Sequence, residues 1–314
     1  MGDSSEAAGS GRGAGPIKGA TLIAGPTASG KSALALELAA RTGSRIVNAD
    51  SMQVYSVLDV LTARPGATEL SRAVHLLYGH VHPSTPYSTG AWLREVSALA
   101  ERGELGRNPV FVGGTGLYFT ALLDGLSAMP DIPAAIRAGW RARLAQDGAS
   151  RLHAILARDD PETAARLQPA DGQRIVRALE VLEASGRSIR DWRGARGAAL
   201  VDEGSAKLIL IEPERSGLVA RIEDRFERMV EAGALDEVRV LLALGLPSTM
   251  PAMKAIGVAE LAASIGGRAT HAEALAGAKA ATRRYAKRQA TWFRNQLGPR
   301  WRRVPDARSG LDGG

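Results

Sequence analysis

Hydrophobic positions along this chain follow two alternating rhythms. Short apolar-centred runs at Ala20–Gly25 (ATLIAG), Arg45–Asp50 (RIVNAD), Leu76–Val81, Pro109–Thr115 (PVFVGGT) and Lys207–Ile211 (KLILI) predict buried strands. Between them, spacings of three and four, as in Ser32–Arg41 (SALALELAAR), predict helices. Buried strands that alternate with helices predict an α/β fold, a parallel sheet covered on both faces. From about Pro130 to Arg193 the strand pattern disappears and Ala, Arg and Leu take over, predicting helices such as Ile132–Asp147 and Asp171–Ser185. A helical block flanked by strands reads as an insertion. The expected division is a core over 18–128 and 200–305, a helical insertion over 129–199, and loose tails at 1–17 and 306–314. The first tail is rich in Gly, Ala and Ser and lacks the basic and apolar regions of a signal peptide; Glu6 stands where a myristoylation signal requires Ser or Thr.

Composition sharpens this picture at three points. The 314 residues are 45% hydrophobic with no apolar run of about 18, so no membrane span is expected. The absence of Cys excludes disulfides, Cys-ligated zinc and thiol catalysis, and fits a cytoplasmic location. The net charge of +7 is local: residues 274–305 hold nine Lys or Arg and no acid, which leaves the remainder at −2. Within that segment, helical periodicity puts Arg283, Arg284, Lys287, Arg288 and Arg294 on one arc, with Tyr285, Ala286, Trp292, Phe293 and Leu297 opposite. The pattern predicts a helix docked by its aromatic face with cations outward, either a solvated basic face or a contact for a phosphate backbone.

The strongest chemical signal is Gly25-Pro26-Thr27-Ala28-Ser29-Gly30-Lys31-Ser32, a complete G-x-x-x-x-G-K-[ST] between an expected strand and an expected helix. Its glycines let the backbone curl N–H groups toward one anion, Lys31 supplies a point charge, and the Ser32 hydroxyl suits a Mg²⁺ shell. Asp50 ends the second strand, where ligands of parallel sheets bind; it reads equally as a metal or proton acceptor and as a helix N-cap. Gly113-Gly114-Thr115 ends another strand where a P-loop ATPase usually places a carboxylate; it marks either a tight turn or the close approach of something large. Arg225 flanks an amphipathic helix with no carboxylate three or four residues away, so it pairs across the fold or meets an anion. Arg174 and Arg177 share a face one turn apart, and Glu180 can answer Arg177, which favours a structural pair over an RNA contact. None of the five His reads as a metal ligand.

Taken in order, GPTASGKS, NADSMQVY, TARP (Thr62–Pro65), VGGTGLYFTALLDGLS (Val112–Ser127), QRIVRALEVLEASGRS (Gln173–Ser188), RIEDRF, KAIG (Lys254–Gly257) and ATRRYAKRQATWFRN (Ala281–Asn295) resemble the tRNA dimethylallyltransferases, the bacterial isopentenyl-tRNA transferase family. The resemblance spans nearly the whole chain. It implies a P-loop NTPase-like core, and transfer of a dimethylallyl group from dimethylallyl diphosphate to N6 of adenine 37 of tRNA, with Mg²⁺ as cofactor, in a cytoplasmic monomer. It further implies that the P-loop, Gly25–Ser32, holds the donor diphosphate, that Asp50 is the general base, and that Thr115 lines the channel for the adenine. Lys31, Ser32 with Mg²⁺ and Arg225 would stabilise the leaving pyrophosphate. Asp50, Ser51, Met52, Gln53, Thr115, Arg137, Gln173, Arg174, Ile175, Val176, Arg177, Arg283, Arg284, Lys287 and Arg288 match tRNA-contacting positions, within a stretch running to Gln289 in the last case. After KAIG, Val258-Ala259-Glu260 replaces the aromatic and basic residues of many relatives. The residues alone also admit a P-loop small-molecule, nucleoside-type kinase, or a non-catalytic RNA-binding NTPase.

Overall fold

The strand runs pair into one sheet because their side chains alternate between two apolar faces. In the computed structural model, which describes residues 15–192 and 197–311, the strands are β1 (Thr21–Ala24), β2 (Ile46–Asn48), β3 (His75–Leu76), β4 (Val110–Gly113), β5 (Lys207–Ile211) and β6 (Arg302–Val304). They form an all-parallel sheet in the order β3-β2-β4-β1-β5-β6. Leu22, Ala24, Val47, Phe111, Leu208 and Leu210 face one side, packed with Trp92, Phe119 and Phe293. Ile23, Ile46, Val110, Val112, Ile209 and Ile211 face the other, against Leu34, Ala35 and Ala39 of the helix Lys31–Thr42. This two-residue period leaves neither face for water, as expected of a parallel sheet.

The chain divides into two compact units, Met1–Leu123 with Ala199–Gly314, and Asp124–Ala198. The second is helical, built on Ala134–Asp147, Ala149–Asp159 and Gly172–Ser185 around a core that includes Trp140, Leu152, Leu156, Ile175 and Leu179. The first carries, besides the sheet, a helical cluster in which Val54, Tyr55, Leu58 and Leu61 pack with Phe226, Val238, Val258 and Leu261. Phe226 belongs to the helix Arg215–Glu231. The basic helix extends over His271–Gln296 and starts at a capping box, Thr270 Oγ1 accepting from Glu273 N and the Glu273 carboxylate from Thr270 N. No described helix is long and apolar enough to cross a membrane.

Three expectations are corrected, and one strand was not foreseen. The strand expected over Leu76–Val81 stops at Leu76, because Leu77 takes φ 61°, and Val81 instead bridges Tyr55. β6 was not legible: as an edge strand with two exposed Arg and only Val304 buried, it shows no apolar run. The tail expected after Asp306 contains a helix, Ala307–Leu311, seated on the phosphate-loop helix; a Cβ on Gly310 would lie 2.5 Å from Leu34 Cδ2. Of the tail expected over 1–17, Ile17 is paired, its N–H donating to Leu200 O at 2.8 Å and its O accepting from Asp202 N at 2.9 Å; residues 1–14 lie outside the described residues.

Candidate active site and nucleic-acid interface

The loop Gly25–Ser32 leaves β1 and opens the helix Lys31–Thr42 through two left-handed residues, Ala28 at φ 61° and Gly30 at φ 91°. Gly25 is required on space alone, since a Cβ there would lie 2.6 Å from Ser29 Oγ and 3.3 Å from Ile211 O. The Ser29 hydroxyl is buried without a hydrogen-bond partner. A buried unpaired hydroxyl is costly, and a loop built to receive an anion is where such a cost is recovered. Lys31 Nζ donates to Pro26 O at 3.3 Å, and Arg221 Nε, from the helix Arg215–Glu231, donates to Ala28 O at 3.0 Å. Arg221 is not among the residues singled out from the sequence; its i, i+4 spacing from Arg225 was the available signal.

Asp50 follows β2 in a tight Asx turn. Its N–H donates to Asn48 Oδ1 at 2.8 Å and its Oδ1 accepts from Met52 N at 2.9 Å, so the carboxylate caps a turn and not a helix. The other oxygen faces the Gly113–Thr115 turn, for a Cβ on Gly114 would lie 3.3 Å from Oδ2. Thr115 Oγ1 accepts from Ser51 N at 2.9 Å and donates to Ser51 Oγ at 3.2 Å, holding the strand end that carries Asp50. Gln53 turns away from the carboxylate, its Nε2 donating to Thr62 O and Ala63 O at 3.0 and 2.9 Å.

Asp50 bears on five titratable groups around it. Lys31 is lowered to about 8, chiefly by burial; Asp50 opposes the fall and Arg225 adds to it. Burial also lowers Arg225, again against Asp50. Tyr78, Tyr118 and Tyr285 are all pushed up, first by burial and then by Asp50. Arg225, with no carboxylate three or four residues away on its own helix, therefore feels the charge of Asp50 across the fold. A cavity of about 250 Å³ opens between Thr27 and Ala28 of the loop, Asp50 and Arg225 on its polar side, with Leu61, Ile222, Phe226, Met229 and Tyr285 as apolar lining. A second cavity, of about 560 Å³, lies along Gly30, Lys31 and Ser32 and shares Ala28 and Arg225 with the first. The site thus joins an anion cradle, a carboxylate and an apolar wall.

The basic helix presents fewer free cations than its sequence suggests. Arg283 NH1 meets Glu223 Oε1 at 2.5 Å, Lys279 pairs with Glu227, and beyond the helix Arg300 and Arg303 meet Glu203 and Glu212 at 3.1 and 2.9 Å. Arg284, Lys287 and Arg288 are exposed and, among the described residues, have no carboxylate partner; Arg288 stacks on Tyr285 at 5.7 Å. Phe293, Ala286 and Leu297 are buried as the docking face requires, and Trp292 covers Gly116, but Tyr285 lines the cavity instead. In the helical unit Gln173 and Arg174 are exposed, Arg174 lies 3.5 Å from Asp171, Arg177 pairs with Glu180 at 3.4 Å, and Arg137 is 4.0 Å from Asp131. Ile175 and Val176 turn their side chains into the core of the helical unit.

Mg²⁺ fits this donor set in one way only. Among the described residues no group of three or more His, Cys, Asp or Glu forms a metal cage. Ser32 is exposed at the first turn of the loop helix, and Mg²⁺ commonly binds by few protein oxygens together with water and substrate phosphates.

The chain is similar to known proteins along most of its length. An IPP transferase family model matches residues 53–296, and an isopentenyl transferase model matches 18–81. A tRNA dimethylallyltransferase from Mesorhizobium japonicum is 61% identical over 95% of this chain and 93% of its own, and one from Chelativorans is 59% identical over 92% and 99%. Among solved structures, the tRNA isopentenylpyrophosphate transferase of Bacillus halodurans superposes with TM-score 0.63 at 32% identity, covering 91% of this chain and 90% of that one. A eukaryotic dimethylallyltransferase acting on tRNA superposes with TM-score 0.75 at 25% identity, covering 92% and 74%.

Proposed function

Because the chain belongs to the IPP transferase family, the tRNA dimethylallyltransferases, we propose that it transfers the dimethylallyl group of dimethylallyl diphosphate to N6 of adenine 37 in tRNA, as a cytoplasmic monomer with Mg²⁺. The observation that carries this reading is the pair of cavities sharing Ala28 and Arg225, where a phosphate loop, the Asp50 carboxylate and an apolar wall converge. A small-molecule kinase needs no such wall and no row of free cations on a nearby helix, and relatives as similar as these are not named kinases.

In the proposed reaction the N6 amine attacks C1 of the dimethylallyl group, the C1–O bond breaks, and pyrophosphate leaves with the bonding pair. The N6 proton passes to the Asp50 carboxylate. Lys31, Arg225 and the N–H groups at the start of the loop helix face the charge that grows on the departing oxygens. Ser32 would hold Mg²⁺, which supplies Lewis-acid neutralisation of the diphosphate when bound. Leu61, Phe226 and Met229 exclude water from the allyl carbon. The test is to incubate the protein with Mg²⁺, unmodified tRNA and dimethylallyl diphosphate and weigh the tRNA nucleosides. An adenosine heavier by one dimethylallyl unit is expected; none, together with robust ATP turnover, overturns the reading.

Two further outcomes follow from the electrostatics. Lys31 holds diphosphate as the ammonium, so donor kcat/KM should be high below pH 8 and fall toward tenfold per unit above it. Fold stability runs the other way: an unfolded lysine keeps its proton to 10.5, so between 8 and 10.5 the unfolded chain binds more protons and stability from this group rises with pH. Lys31→Met should erase the alkaline fall; a profile that keeps it places the titration elsewhere. On the basic helix, Arg284→Gln with Lys287→Gln should raise the tRNA KM roughly tenfold and flatten the salt dependence of binding by about 1–2 in log–log slope. Unchanged salt dependence would mean that these cations face only solvent.

A further inference from the structure

Gln289 sits on the basic helix yet points inward, 6% exposed, with both ends of its amide engaged by distant backbone. Its Oε1 accepts the N–H of Thr27 in the phosphate loop at 2.9 Å, and its Nε2 donates to the carbonyl of Gly114 at 2.8 Å. The two partners follow β1 and β4, which are neighbours in the sheet. One side chain therefore ties together the loop after β1, the turn after β4 and the helix bearing the free cations.

The tie shapes the loop. Pro26 has no N–H, the Thr27 N–H is committed to Gln289, and the Ser29 N–H donates to Pro26 O at 3.2 Å. Beyond Gly25 at the strand end, that leaves Ala28, Gly30, Lys31 and Ser32 to supply backbone donors to a phosphate, so the anion is drawn toward the helix end of the loop. The tie also borders the carboxylate. A Cβ on Gly114 would lie 2.2 Å from Gln289 Nε2 and 3.3 Å from Asp50 Oδ2, so residue 114 must be glycine for the amide to enter beside Asp50.

We propose that Gln289 is a positioning residue which fixes the spacing between the diphosphate loop and the Asp50 carboxylate, in place of contacting RNA itself. A primary amide suits the post because it must accept at one end and donate at the other; Glu keeps the first bond only, Met keeps neither, and Asn is one methylene short. The proposal rests on the loop being the donor site. It is tested by steady-state kinetics in both substrates, with thermal melting in parallel. Gln289→Met should lower kcat/KM for dimethylallyl diphosphate about 10–100-fold, through both kcat and donor KM, and leave the tRNA KM within about twofold. Gln289→Glu, which keeps the bond to Thr27 but sets a carboxylate against Gly114 O near the anion site, should raise the donor KM at least as much as Gln289→Met.

A merely stabilising side chain would lower the melting temperature and leave that split unmoved. Gly114→Ala pushes on the same amide from its other side, so it should mimic Gln289→Met; in a Gln289→Ala background, which makes room, the added methyl should cost little more. Should Gln289→Met melt below the assay temperature, Gly114→Ala carries the same expectation. A wild-type enzyme that transfers the prenyl group, with variants of unchanged donor kcat/KM, overturns the proposal. So does a loss confined to tRNA affinity. Failure of the wild-type enzyme to transfer at all overturns the donor-site reading instead.

Discussion

Asp50→Asn is expected to lower turnover by about 10²–10⁴-fold while leaving tRNA affinity nearly unchanged. Asn is the informative substitution because the carboxylate has two separate tasks. Oδ1 caps the Asx turn through Met52 N, and the amide oxygen of Asn can accept that bond. Oδ2, facing the Gly113–Thr115 turn, is the atom proposed to receive the N6 proton, and an amide nitrogen there cannot take it. Asp50→Ala removes both tasks, so the gap between the two variants measures the turn and the loss in Asn measures the base.

A second readout comes from the surrounding charges. Asp50 holds Lys31 up against the pull of burial and Arg225, so without it Lys31 should lose its proton at a pH lower than the native value of about 8. The alkaline fall in donor kcat/KM should move to lower pH in Asp50→Asn. Below that fall, pyrophosphate should bind more tightly than to wild type, because two buried cations have lost their anion. Near-native turnover in Asp50→Asn, or a loss of tRNA binding with intact chemistry at saturation, would contradict the base role.

What the sequence could convey depended on whether the responsible interaction is local. The phosphate loop was legible because its demands, glycine at a close approach and a helix N-terminus, are met within eight residues. β1, β2, β4 and β5 were legible because burial on both faces writes continuous apolar runs, and β6 was hidden because an exposed edge strand writes none. The basic segment was read as free of acids, yet its partners Glu227 and Glu223 come from a helix 52 and 60 residues upstream of the cations they meet. Charge cancellation between helices has no signature in either sequence segment. Gln289 is the same case: a single polar residue on a basic face reads as surface, and only the backbone it meets, at residues 27 and 114, turns it inward.

Gly113→Ala should be the most damaging single methyl in the sheet, costing about 3 kcal/mol or more of stability and roughly 6–12 °C in melting temperature. Gly113 does not have a positive φ, so the requirement is one of space and not of backbone conformation. Its Cβ would lie 1.9 Å from Ala49 O and 2.1 Å from Ala49 C, both backbone atoms of the strand end bearing Asp50. No rotamer change relieves such an overlap, and the segments cannot simply part, because Ala49 N donates to Val112 O at 2.8 Å and Thr115 N to Ala49 O at 3.3 Å. At the neighbouring glycines an added Cβ would meet side chains instead: the Gln289 amide at Gly114, and the Trp292 ring, 2.0 Å away, at Gly116. Gly114→Ala should therefore cost activity before stability, and Gly113→Ala stability before activity. A Gly113→Ala protein melting within about two degrees of wild type would show that this strand end can move, and with it the carboxylate on which the chemistry depends.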